Sequence, residues 1–456
     1  MSTRHSFCVI LSVSILLGLF SSAAAQSRMA MRPALSSQEV EVNNQIRREK
    51  FDLVLPEVMK KNNVDMWIHV IRRAIPDDFG AGEFGSTSGV FVFTDRWGDR
   101  IERAVLGRRW IIHDPVRRQE PIGNPMTEYD YRFAGLKEFV EVRNPKRIAV
   151  NFKHDLGPYE TTDRSDGISL TDYLLLIEEL GDEFANRLVS SEYVMMDYII
   201  RKVPSEIQQL KKIRRDEDER IKKVFAEIVP GVTKRREAGA TVFRRGSTGI
   251  SQRGRRIDDG SVIQRGDIIA APSQGMYAYV LRKGEKEPPP EIKKLWTEYL
   301  KIDKILTESI RVGLTAREIK QIYKQKFDDE GIIVRDAQLH YGVDRLKNNF
   351  SVYSTGFDPE KTQLSIDCHG MMKGARDRKN ENYFGPRIGS LGPEWTWDIP
   401  LPPNHHFVLE YFFYMPSPSS EREDQYLFWW DHEQAIVTEK GVEYLSPLRK
   451  ELYLIK

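Results

Sequence analysis

Cysteine is almost missing from this chain of 456 residues: only Cys8 and Cys368 are present. With so few thiols the fold cannot rest on a disulfide framework, so stability has to come from buried apolar cores. An excess of charge of one sign is missing too, since 69 basic residues stand against 67 acidic ones and leave +2. That balance excludes a dedicated nucleic-acid binder, which needs a strong basic excess. The apolar run at 7–20 is shorter than the roughly 20 residues a membrane-spanning helix requires. The absence with most chemical weight lies at 268–282, where there is no Asp or Glu. Residues 267–271 and 276–282 read as two strands around a turn-like Pro272-Ser273-Gln274-Gly275. Such a hairpin can turn alternate side chains into one pocket, and a divalent cation needs oxygen ligands there at fixed separation. Here the frame is present and the carboxylates are not.

At the N-terminal end Arg4 and His5 precede the apolar run, and Ser21-Ser22-Ala23-Ala24-Ala25 follows it. This is the pattern of a secretory signal over 1–25, with Gln26 as the first mature residue; a membrane anchor is the alternative. Cleavage would remove Cys8 and leave Cys368 alone, which suits a bacterial periplasm better than a disulfide-rich extracellular scaffold. The expectation is therefore an exported protein, periplasmic or secreted, with no membrane span after signal cleavage.

The length exceeds that of one hydrophobic core and predicts two domains. Residues 26–44 read as a flexible lead-in. From 45 to 203, strand-like runs at 64–70, 89–94 and 147–152 alternate with helix-like stretches near 46–58 and 170–180 and with a short helix or edge element at 136–142, predicting an α/β domain. Pro204 begins a change: Ser205-Glu206-Ile207-Gln208 has the form of a capping box, and a charged amphipathic helix follows until Pro230-Gly231. The remainder, 204–456, reads as a second domain with a faint internal echo. Gly231-Val232-Thr233 recurs in outline as Gly313-Leu314-Thr315, each after a long amphipathic stretch, where Gly can stop one helix and Thr cap the next. A chance recurrence of common punctuation and a duplicated half-domain both remain open.

Taken in order, these features resemble the pita-bread metallopeptidases, in the Xaa-Pro aminopeptidase and creatinase branch. The resemblance rests on Asp65-Met66-Trp67-Ile68, Val229-Pro230-Gly231-Val232-Thr233, Val262-Ile263-Gln264-Arg265-Gly266-Asp267 and Ala278-Tyr279-Val280-Leu281-Arg282. It continues through Pro402-Pro403-Asn404, Leu409-Glu410 and Ala435-Ile436-Val437-Thr438-Glu439-Lys440-Gly441. It implies a creatinase-like α/β domain followed by an α+β pita-bread domain. It also implies hydrolysis of the N-terminal bond of proline-containing peptides by two metal ions held by two Asp, one His and two Glu.

The resemblance places the first Asp at Pro272 and the second near 273–276, so both are lost. Its His falls either at Thr355, after Val352-Tyr353-Ser354, or at His369 in Asp367-Cys368-His369-Gly370, and the latter is preferred. Cys368 beside it reads as a soft ligand or a small buried residue. Glu410 takes the first Glu position within the apolar run 407–413, where an unpaired carboxylate would be costly. Strict register puts His432 in the last position, and Glu433 beside it must point to the opposite face of a strand. The expected metal set is thus His369, Glu410 and His432, for Mn, Zn or Co if any metal is bound at all.

His405, His406 and Trp397 are expected at a substrate contact, although core packing accounts equally well for the tryptophans around 395–397 and 428–430. The arginines at 235–236, 244–245 and 253–256 read as a solvated basic face, and 376–382 as a polar loop. Activity is expected to be weak or absent. The alternative is a non-catalytic protein binding peptides or a partner in the retained cleft, and a homodimer is compatible with the resemblance.

Overall fold

The computed structural model describes residues 36–72, 79–85, 89–96, 100–106, 110–113, 120–122, 133, 135–155, 166–239, 241–243, 260–271, 275–335, 360–370, 385–389, 394–416, 426–446 and 452–456. The expected signal at 1–25, the expected turn residues 272–274, Thr355, the arginines within 244–245 and 253–256, and the expected polar loop at 376–382 lie outside the described residues. The chain divides into two compact units, Met1–Asn44 and Gln45–Lys456.

Helix α1 (Ser37–Glu49), a π-helical turn (Lys50–Val54) and helix α2 (Leu55–Lys61) precede the first sheet. That sheet is built from β1 (Met66–Ile71), β2 (Gly89–Arg96), β3 (Arg100–Leu106), β4 (Trp110–His113), β5 (Glu120–Ile122), β6 (Ile148–Val150) and β7 (Leu188–Ser190). The strand order is β5-β4-β3-β2-β1-β6-β7. β1 to β5 pair antiparallel, while β6 lies parallel to both β1 and β7. Parallel neighbours need long crossovers, and helices α3 (Leu136–Arg143) and α4 (Leu170–Ala185) lie in them. Met66, Ile68, Val90, Val92, Leu136, Val140, Leu176 and Leu180 close the core between sheet and helices. The helix-or-edge reading of 136–142 thus resolves to a helix.

After α5 (Glu192–Ile200) comes α6 (Pro204–Glu227), and the expected capping box is absent. Val203, in extended conformation, is the N-cap and Pro204 opens the helix, where its missing N–H costs nothing. Ser205 lies inside the first turn, and both its N–H and its hydroxyl donate to the Glu49 carboxylate. A distant partner has displaced the local one.

The rest of the chain forms two further sheets. β8 (Thr241–Phe243), β9 (Ile268–Ala271) and β10 (Met276–Val280) are followed by helices α7 (Pro290–Ser309) and α8 (Ala316–Asp329). Next come β11 (Ile333–Arg335), β12 (Gln363–Gly370), β13 (Arg387–Gly389), β14 (His405–Pro416), β15 (Tyr426–Thr438), β16 (Gly441–Tyr444) and β17 (Tyr453–Ile455). The four-stranded sheet has the order β17-β10-β9-β8; the other runs β11-β12-β14-β15-β16, with β13 paired to β12. An α/β portion followed by an α+β portion is the architecture expected from the sequence. No helix among the described residues is long and apolar enough to cross a membrane.

The two halves of the echo differ in detail. Gly231 and Gly313 both adopt positive φ, +85° and +84°. Thr315 caps α8 by accepting from the Glu318 N–H at 3.3 Å. Thr233 instead accepts from the Val229 N–H at 2.9 Å and caps no helix.

The hairpin β9–β10 forms as read, with Met276 opposite Ala271. Ile269, Ala271, Met276, Ala278 and Val280 pack with Ile221 and Phe225 of α6. Ala270 and Tyr277 pack with Leu295, Trp296 and Tyr299 of α7. Both hairpin faces are therefore core faces, each large apolar side chain contributing about 1.5–3 kcal/mol. This explains physically why carboxylates are missing there: on either face they would be buried among hydrocarbon.

Candidate metal centre

Three antiparallel strands, β12, β14 and β15, bring His369, Glu410 and His432 together. Glu410 stands directly opposite His432, and His369 is opposite Val408, one diagonal step from Glu410. Side chains alternate across a sheet, so all three project from one face. The other face carries Leu364, Ile366 and Cys368 of β12, Leu409 and Tyr411 of β14, and Ala435 of β15, all packed in the core with α7 and α8. One ligand atom from each of the three residues lies within 4.8 Å of the others, and among the described residues this is the group that could hold a metal ion. His369 Nε2 is 3.2 Å from Glu410 Oε2, and His432 Nε2 is 4.0 Å from the same oxygen. His369 and Glu410 are buried and His432 is partly buried.

Hydrogen-bond geometry says more about what the group can take. His369 Nδ1 lies 3.2 Å from the Gly370 carbonyl, which can only accept, so Nδ1 carries a proton. Nε2 then either carries a second proton, making an imidazolium–carboxylate pair with Glu410, or turns its lone pair to a cation. A histidine whose far nitrogen donates to a backbone carbonyl is the usual arrangement of a metal ligand. Zn–N and Zn–O distances near 2.0–2.2 Å set tetrahedral ligand atoms roughly 3.3 Å apart. The 3.2 Å contact matches that spacing and the 4.0 Å contact exceeds it by less than 1 Å, so the three side chains could hold one small divalent ion.

Beside them the sheet face carries a second charge pair. Arg387 of β13 is the cross-strand neighbour of His369 and grips Asp367 with two bonds, Nε to Oδ1 at 2.8 Å and Nη2 to Oδ2 at 2.7 Å. Burial raises the Asp367 pKa and Arg387 works against that rise. Sequence reasoning missed this pair. A signal was present, since Asp367 is two residues from His369 and so shares its strand face, but Arg387 lies on another strand.

The opposite face behind His432 was missed as well. Asp431 is fully buried and accepts from Tyr277 Oη at 2.6 Å and Tyr299 Oη at 3.3 Å. Burial pushes its pKa up to about 6. Glu433, also buried, accepts from Arg214 Nη2 at 2.5 Å. Burial drives its pKa well up, against the pull of that guanidinium. His432 and Glu433 thus turn to opposite faces, as strand alternation requires.

The other expected residues sit apart from the trio. His405 is fully buried with Nδ1 3.2 Å from the Ile200 carbonyl, and burial lowers its pKa to about 4, keeping it neutral. His406 turns the other way, its Nε2 3.2 Å from Gln434 Oε1. Trp397 packs against the core around α7 and α8, with the Arg317 guanidinium 5.2 Å above its ring. Trp429 is buried, 4.4 Å from the Tyr277 ring. Cys368 is buried on the helix side, its thiol donating to the Glu410 carbonyl at 3.6 Å, and burial raises its pKa. It behaves as a small core residue.

No family model and no curated protein matches the chain. Among solved structures, it is similar to the X-Pro aminopeptidase from Thermotoga maritima MSB8, with TM-score 0.47 and 14% identity over 88% of this chain and 100% of that one. The Xaa-Pro dipeptidase from Bacillus anthracis gives TM-score 0.46 and 15% identity, covering 90% of this chain and all of that one. The prolidase from Pyrococcus horikoshii OT3 gives 0.42 and 17%, again over 90% of this chain and all of that one. The chain is thus similar in structure to Xaa-Pro aminopeptidases and prolidases along some nine-tenths of its length, at low sequence identity.

Proposed function

We propose that this is an exported protein of Xaa-Pro aminopeptidase lineage that holds one divalent cation at His369, Glu410 and His432. Its two domains in this reading are 45–203 and 204–456. The observation that carries the reading is the convergence of those three ligand atoms within 4.8 Å on one sheet face. When bound, the ion would polarise a peptide carbonyl and lower the pKa of a water. Two imidazoles suit Zn²⁺ or Co²⁺ better than Mn²⁺. With one carboxylate the site lacks the bridging oxygens of a two-metal centre, so cleavage of proline-containing peptides is weak or absent. Elemental analysis of purified protein is expected to find one Zn²⁺ or Co²⁺ per chain, abolished by Glu410→Ala. Absence of any ion, together with no Xaa-Pro cleavage after metal addition, would remove this reading.

The 3.2 Å contact of His369 with Glu410 favours a second reading. An imidazolium there would take the cation's place, leaving a non-catalytic peptide- or partner-binding protein. Metal-independent binding of a proline-containing peptide, read from tryptophan fluorescence or melting temperature, would support it.

A further inference from the structure

The hairpin that lacks ligands supplies something else. Tyr277 of β10 reaches the far face of β15, where its hydroxyl donates to Asp431 Oδ1 at 2.6 Å. The same oxygen accepts the His432 backbone N–H at 2.9 Å. Tyr299 of α7 donates to the other oxygen at 3.3 Å. The register of β15 with β16 covers Ala435–Thr438 only, and the His432 amide beyond it is taken by this carboxylate. Tyr277 has little room to turn, since its ring lies 4.4 Å from Trp429, 5.4 Å from Tyr299 and 5.9 Å from Trp296.

We propose that Asp431, clamped by Tyr277 and Tyr299, is a positioning residue that fixes the backbone at His432 and so aims its imidazole at the cation. The inference rests on the metal reading of His369, Glu410 and His432. It gives the carboxylate-free hairpin a place in the site: it acts from behind the sheet, through the phenol of Tyr277. Groups that orient a ligand in this way change metal affinity by roughly 10–100-fold when removed.

A second phenol–carboxylate contact in the same core provides the control. Tyr444 donates to Asp303, which feels the Asp431 charge but accepts from Tyr444 and Tyr411 and not from the His432 amide. The experiment compares wild type, Tyr277→Phe and Tyr444→Phe for Co²⁺ affinity and for the visible absorption of the bound Co²⁺. Tyr277→Phe should weaken Co²⁺ binding about tenfold and shift the visible bands. Tyr444→Phe should lower the melting temperature while leaving affinity and bands in place. Should Tyr277→Phe fail to fold, Tyr299→Phe, which removes the longer bond, should move both readouts in the same direction by less. Unchanged affinity and bands in Tyr277→Phe, or equal changes in Tyr444→Phe, would overturn the positioning role while the site stands. A wild-type protein that takes up no Co²⁺ would overturn both.

Discussion

On one face of β14 and β15, Glu410 and His432 stand opposite each other and turn toward His369. On the other face, Asp431 and Glu433 are met by Tyr277, Tyr299 and Arg214. On the far face each carboxylate accepts from protein donors, Asp431 on both oxygens and Glu433 on Oε1, and burial still raises both pKa values. The near face brings one carboxylate and two imidazoles together in a way that only added protons or a cation can reconcile. A structural carboxylate and a candidate ligand on the same strand pair can be told apart by this contrast. Burial is common to both, so the decisive feature is whether the protein itself supplies the compensating donor.

Breaking the far face should cost stability first. Arg214→Met leaves Glu433 buried without its guanidinium, and such broken pairs typically cost about 3–5 kcal/mol. Urea unfolding should register that loss, with the Co²⁺ spectrum of the surviving folded fraction little changed.

The next effect is a pH dependence. Burial pushes the Asp303 pKa from 3.8 to about 7, against the hydrogen bonds from Tyr444 and Tyr411 and with the Asp431 charge adding to the rise. The folded protein therefore binds a proton that the unfolded chain releases. Stabilisation from this group is full below about pH 4 and is lost as pH rises through about 7, by a few kcal/mol in all. Melting temperature followed from pH 4 to pH 8 should fall through this window, and Asp303→Asn should flatten the fall.

A smaller effect is expected at Gly275, which has φ +53° and lies against Glu433. A Cβ there would overlap the Glu433 carboxylate. Gly275→Ala should cost about 1–3 kcal/mol by thermal melting, less than loss of Arg214, because Glu433 can shift and keep its guanidinium.

Much of the local structure was legible because it is written in short apolar runs and in strand alternation. The hairpin and the strand around Glu410 show as short apolar runs, and the opposite facing of His432 and Glu433 follows from alternation along a strand. What was not legible depends on partners far away in the chain. Ser205 looked like a cap until Glu49 claimed it, and Tyr277 meets Asp431 across 154 residues of sequence. Asp367 could be placed beside His369 by alternation, but its pairing with Arg387 needed the β12–β13 register. Local pattern thus located the ligand candidates, and long-range register decided which neighbours support them.

In the proposed reading three side chains on one sheet face hold a cation. A zinc-edge anomalous difference map from crystals grown with Zn²⁺ tests it most directly. One peak is expected at roughly 2.0–2.2 Å from His369 Nε2, a Glu410 carboxylate oxygen and a His432 ring nitrogen. A map with no peak there, and with His369 Nε2 still in hydrogen-bond contact with Glu410, would contradict it.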